Sequence, residues 1–221
     1  GWVDTVAFDK THDASASQGW CPGVVDTNGD GKISTGWTEP KEAIDPKRDP
    51  ADVMAEVSAD KPDLDHLLDE AAQMLVDLRA FVVEKDLVSI PRDEVAEPRF
   101  SPPFFRGNFA GLGSGGPFGA VSQPSVFFIT PPDPSWPPEQ QAAYLPSRAD
   151  LPFIAAHEVW PGHFVQGMHE RASGDRILQT FETNTTSEGW AHYTEEMMWD
   201  AGLGGGDPRV HIGEVKNALL R

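Results

Sequence analysis

His157-Glu158-Val159-Trp160-Pro161-Gly162-His163 is the stretch on which the reading of this chain turns. The run that leads into it, Leu151-Pro152-Phe153-Ile154-Ala155-Ala156, is apolar on every side. A helix apolar all round belongs in a protein interior. An ionisable His-Glu pair is therefore carried indoors, where charge is costly unless a partner of opposite sign meets it. A divalent metal is the natural candidate.

The usual helical zinc motif places two histidines four residues apart on one face, with a glutamate beside the metal-bound water. Here the fourth position after His157 is Pro161, and the next histidine stands two places later. On an ideal helix His163 would lie about 240° round from His157. Pro161-Gly162 forbids an ideal helix, because proline lacks the donor and clashes one turn back. A kink or π-type bulge at that point returns His163 to the side of His157.

A second stretch follows, Ser187-Glu188-Gly189-Trp190-Ala191-His192-Tyr193. His192 shares a helix face with Glu188, four residues before it. It is placed either as a hydrogen-bond donor behind a metal ligand or as a donor to a developing oxyanion, and Tyr193 has the same two options. Four of the seven histidines, His157, His163, His169 and His192, thus cluster with Glu158 and Glu188. Cys21 is the one cysteine, so a metal site must be built from histidine and carboxylate. Catalytic zinc takes three such ligands and leaves a position for water. Plainer readings stand beside this one. His157 and Glu158 make a structural pair, His163 caps a helix while His169 or His192 ligates, or Glu188 is a first-turn acid favoured by the helix dipole.

His-Glu-x-x-Pro-Gly-His followed by Glu-Gly-Trp-Ala-His-Tyr closely resembles a large family of bacterial zincin-like proteins of gluzincin type, many of them secreted or lipoproteins. The likeness runs from about Ala51 to Arg221, and the family domain continues beyond it. The resemblance implies His157, His163 and Glu188 as zinc ligands and Glu158 as general base. It also implies an extracytoplasmic location for a segment of a longer domain.

Elsewhere the chain sets bounds. Asp and Glu number 35 against 17 Lys and Arg, a net charge of −18. That balance repels nucleic acid and anionic membrane surfaces and suits cationic ligands. No run is long and apolar enough for a membrane span, and no signal peptide opens the chain. Residues 1–50 read as an irregular Asp/Gly-rich appendage. Within it Asp26, Asn28 and Asp30 match the first oxygen donors of an EF-hand-type calcium loop, although Trp37 stands where the closing acid belongs.

Residues 51–221 read as a partial, mainly α, zincin-like domain. Apolar spacing predicts a helix from about Pro62 to Lys85, with His66 a plain surface or core histidine. Ser125–Thr130 reads as a short strand, and its flanking prolines place it at a sheet edge. Glycines from Gly107 to Gly119 suggest a lid or cleft wall. Later helices are expected from Ser147 or Asp150 to about Trp160, from His163 to about Ala172, from a Thr186 or Ser187 cap to Ala201, and from Asp207-Pro208 onward. Trp160, Trp190 and Trp199 read as core, and His169 and His211 as surface.

The expected function is zinc-dependent peptide hydrolysis with Glu158 as base and His192 or Tyr193 steadying the oxyanion. The alternatives are a metal-dependent amidase on a non-peptide substrate, or a non-catalytic, secreted calcium-binding module.

Overall fold

Asp49 opens the described chain by capping a helix: its carboxylate accepts from the Ala51 N–H at 2.9 Å, and Pro50 supplies a first residue that needs no donor. The computed structural model describes residues 47–116, 118 and 124–219. The calcium-like loop at Asp26, Asn28 and Asp30 lies outside them. Helix α1, Pro50–Ala59, was not anticipated from the sequence. The next, α2, spans Leu67–Glu84 and buries Leu67, Ala71, Leu75, Leu78 and Val82. That spacing of three and four residues makes one stripe along the helix.

Three short strands follow: β1 (Ala96–Phe100), β2 (Ala110–Gly113) and β3 (Ser125–Ile129). They are ordered β1-β3-β2, with β1 parallel and β2 antiparallel to β3. The edge position expected for Ser125–Thr130 is thus wrong, for β3 is the central strand. Pro124 and Pro131 fall outside the paired register, so each residue of β3 keeps its N–H. The strand that contains a proline, Pro98, is β1 at the edge, where a missing donor is tolerated.

The remainder is helical: α3 (Pro138–Tyr144), α4 (Leu151–Glu158), α5 (His163–Ser173), α6 (Arg176–Thr180), α7 (Asn184–Asp200) and α8 (Pro208–Leu219). The fold of the described residues is therefore mainly helical with a small mixed sheet. As its composition requires, α4 is sunk in the core, with Phe153 and Ala156 at 0 % exposure. It packs on α2, α7 and α8 and under β2.

At the entrance to α4, Asp150 turns its carboxylate back rather than forward into the helix. It accepts from the Ser147 N–H at 2.9 Å and from Lys216 on α8 at 2.7 Å. Gly213 lets α8 lie directly on this segment, since a Cβ there would come within 2.2 Å of the Ala149 carbonyl oxygen. Thr183, not Thr186 or Ser187, caps α7, by accepting from the Thr186 N–H. No described helix is long and apolar enough to cross a membrane.

Candidate metal centre

The site begins with how α4 ends. After Glu158 the Trp160 N–H donates to the Ala155 carbonyl at 3.3 Å and the Gly162 N–H to the Ala156 carbonyl at 2.8 Å. The spacing widens from the helical four residues to five and then six, a π-like wrap that ends the helix instead of kinking it. The Trp160–Pro161 bond within it is cis. Gly162 is obligatory here, because a Cβ would sit 1.7 Å from the His157 carbonyl oxygen. Trp190 braces the turn from α7, its indole N–H shared between the carbonyls of Pro161 (3.1 Å) and Gly162 (3.3 Å). Trp190 is only half-buried, so its work lies in this brace more than in the core.

The wrap brings His163 back beside His157, ring centroids 4.8 Å apart. From α7, Glu188 faces both rings: its Oε2 is 3.3 Å from His157 Nε2 and its Oε1 3.7 Å from His163 Nε2. Ser187 Oγ lies 3.3 Å from His163 Nδ1 and fixes the ring's other end. The His192 ring is 5.1 Å from that of His157. His157, Glu188 and His192 can offer three ligand atoms within 4.8 Å of one another.

Glu195, one turn beyond His192, escaped the sequence reading. His157 is 4 % exposed, and its Nδ1–H donates to Glu195 Oε1 at 2.8 Å, a carboxylate itself 3 % exposed. This bond selects the tautomer. With the proton on Nδ1, neutral His157 presents the Nε2 lone pair toward the Glu188 carboxylate. Two acceptors 3.3 Å apart repel unless a cation lies between them, whether a proton on the ring or a metal ion. Two imidazole nitrogens and a carboxylate converging there suit zinc, and a ligating histidine held from behind by a carboxylate is the usual support. The faint signal for Glu195 in the sequence was its place in the buried stripe Ala191, Thr194, Glu195, Met198 and Trp199.

A cavity of about 940 Å³ opens over this group. Its walls include His157, Glu158, His163 and Glu188, together with Phe109 and Leu112. The glycine-rich segment thus supplies a cleft wall through β2. His192 and Tyr193 are not among the lining residues. Tyr193 is exposed, with its ring 6.1 Å from that of Trp190. His169 is exposed and bonded to the Ser89 carbonyl. His211, expected at the surface, is instead half-buried and stacks on Trp199 at 4.2 Å.

The sequence profile of a bacterial protein family of unknown function, DUF885, matches residues 32–221. The chain belongs to that family. A solved structure from Shewanella oneidensis, a protein of unknown function named provisionally as a lipoprotein, is 25% identical with a TM-score of 0.65. The match covers 76% of this chain and 30% of that one, so this chain spans about a third of its length. A second, from Colwellia psychrerythraea and also named provisionally as a lipoprotein, is 20% identical with a TM-score of 0.49, over 67% of this chain and 25% of that one. No curated protein matches. A bacterial family is thereby found, with similar solved structures named provisionally as lipoproteins.

Proposed function

We propose that this segment carries the catalytic centre of a zincin-like, zinc-dependent peptide hydrolase, held outside the cytoplasm. One observation carries the reading: the Nε2 atoms of His157 and His163 face the two oxygens of a single carboxylate, Glu188, on the wall of a cavity that Glu158 shares. His157, His163 and Glu188 would hold the ion. His163 is preferred to His192 as third ligand because it lines the cavity, whereas His192 turns Nδ1 toward Glu195 at 3.5 Å. The lipoprotein naming of the Shewanella relative supports the location.

When bound, zinc supplies a Lewis acid and brings the pKa of a ligated water toward neutrality. The protein does the rest. Glu158, the last residue of α4, lines the cavity, and its carboxylate would take a proton from water and return it to the leaving amine. Glu195 keeps the Nδ1 proton on His157 and so keeps Nε2 basic. Ser187 restrains His163. His192, its ring 5.1 Å from that of His157, is not among the residues that line the cavity and would have to turn toward it to steady an oxyanion. Tyr193, turned outward, would need a side-chain rearrangement to share that role.

Metal content and turnover test the proposal together. The purified protein should hold one zinc per chain, and His157→Ala or His163→Ala should abolish it. Glu158→Gln should keep the zinc and lower peptide turnover by about 10²–10⁴-fold. Full zinc in His163→Ala would move the third ligand to His192, and loss of zinc in Glu158→Gln would sink the assignment of base and ligand.

A further inference from the structure

A second cavity, of about 310 Å³, adjoins the one over the histidines: Phe105, Asn108, Ala110 and Gly111 stand in the walls of both. Ser101, Phe104 and Gly107 complete its lining, so among the described residues no ionisable side chain faces it. The first cavity, by contrast, is lined by four glutamates, Glu158, Glu170, Glu182 and Glu188. A charged chamber thus borders a neutral, aromatic one.

The aromatic chamber is built on a loop pinned at its base. At one end the Ser101 N–H donates to the Ile129 carbonyl at 2.9 Å, and at the other the Thr130 N–H donates to the Phe109 carbonyl at 2.6 Å. Thr130 ties the two ends together. Its buried hydroxyl donates to the Asn108 carbonyl at 2.6 Å, and its Oγ1 lies 2.9 Å from Ser101 Oγ. Phe105 is laid over β2, with its ring 5.0 Å from that of Phe128 and its Cε1 3.3 Å from where a Cβ at Gly111 would stand. Even so, Phe105 is 44 % exposed, and its neighbour Phe104 is 89 % exposed. Apolar residues scattered singly over a surface need no explanation. Two adjacent phenylalanines, held by a pinned loop around a cavity that shares a wall with the proposed centre, have the character of a ligand site. Covering them takes apolar surface out of water, a gain that requires an apolar group on the ligand.

We propose that Phe104 and Phe105 form a subsite that takes one large apolar side chain of a peptide whose backbone lies in the first cavity. The shared wall carries the assignment, since a chain in the first cavity reaches the second by sending a single side chain past Phe105. This rests on the hydrolase reading of the first cavity and names its substrate class.

Calorimetry on the Glu158→Gln protein in the presence of zinc tests it, with capped tetra-alanine peptides in which phenylalanine or glutamate replaces each residue in turn. In one register the phenylalanine peptide should bind about 10-fold or more tighter than the all-alanine peptide, the range for burying such a side chain. Glutamate should gain nothing. The advantage should persist in about 1 M salt, because no charge contributes to it. Phe104→Ala, at an exposed position, should cut the advantage about 3-fold or more, with zinc content and unfolding midpoint as in the parent. Gly107→Leu is the second variant. Gly107 has a negative φ and a Cβ there would meet nothing within 4 Å, so a side chain can occupy the chamber without disturbing the fold. It should bring the ratio of phenylalanine to alanine affinity near one.

Equal affinity for the phenylalanine and alanine peptides in every register, a glutamate peptide bound as tightly as the phenylalanine one, no binding of any peptide, or a preference untouched by both variants would each overturn the subsite. Self-association in sedimentation that Phe104→Ala abolishes would overturn it too, because a second copy would then be the occupant. If the apolar preference behaves as stated but the parent protein cleaves nothing, the hydrolase reading alone fails. If the parent cleaves peptides without that preference, the subsite alone fails.

Discussion

His157 and Glu188 face each other across 3.3 Å, yet the side chain of one is 4 % exposed and that of the other 52 %. The centre is thus built from two unlike halves. The histidine half is core: α4, the wrap at Gly162 and the Glu195 carboxylate are packed together and leave little room for adjustment. The Glu188 half stands at the first turns of α7, open to the cavity. The difference teaches where each kind of change will be felt. If the site holds zinc as proposed, alterations in the first half should act on folding before they act on metal, and alterations in the second on metal while the fold stays intact.

The sharpest way to break this comparison is Gly162→Ala. The added methyl group would meet the His157 carbonyl oxygen at 1.7 Å and the Ala156 carbonyl oxygen at 2.5 Å. Neither is a flexible side chain that can swing aside. A loss of more than about 3 kcal/mol is expected, at the upper end of overpacking costs. Urea unfolding measures it. A variant within about 0.5 kcal/mol of the parent, the range of an ordinary surface change, would show that the wrap yields and that the buried half is not rigid.

The buried half extends behind Glu195 into α8, where Glu214 is 8 % exposed. Burial, followed by the charges of Glu196, Glu195 and Asp200, pushes its carboxyl from 4.5 up to about 7. The sign follows from which state holds the proton. Below the unfolded value both states are protonated and Glu214 costs nothing. As pH rises toward 7 the unfolded chain ionises while the folded one does not, so stability falls. Above 7 the full penalty, about 3 kcal/mol, is in place. Glu214→Gln removes this contribution, so the variant should gain on the parent as pH goes from 4 to 8. Unfolding curves at several pH values read the difference. Parallel pH profiles for the two proteins would mean that Glu214 is solvated like the Glu188 half.

The same contrast explains what the sequence disclosed. The α4 core helix and the return of His163 beside His157 were legible because an all-round apolar run and a Pro-Gly break leave few physical solutions. The central place of β3 was misread, since prolines next to a strand resemble prolines within one until the register is known. Glu195 was missed because Glu195-Glu196 looks like a solvated pair; only the packing of α7 on α4 turns the first inward. Helix α1 was missed for its composition, Pro50-Ala51-Asp52, which reads as loop unless Asp49 is seen as a cap.

The smallest effect on folding, and the most informative for function, belongs to Glu188→Gln. Its side chain is half exposed and touches the site through His157 Nε2 and His163 Nε2. An amide of the same shape can still fill that space and can donate to either nitrogen, so the change in unfolding free energy should stay within about 0.5 kcal/mol. Metal should respond otherwise. An amide oxygen is a neutral and weaker ligand than a carboxylate, so zinc affinity should drop, and raising free zinc should recover part of it. Glu195→Gln is the counterpart, because it keeps the shape but replaces the buried carboxylate with a neutral amide, whose oxygen holds the His157 Nδ1–H less strongly and whose NH2 brings a new buried donor. It should destabilise the fold by about 1–3 kcal/mol and weaken zinc by about 10–100-fold. Paired measurement of stability and zinc affinity on the two variants decides the matter: a Glu188→Gln protein that unfolds as readily as Glu195→Gln would show that the open half also holds the fold, and the division drawn between the halves would fall.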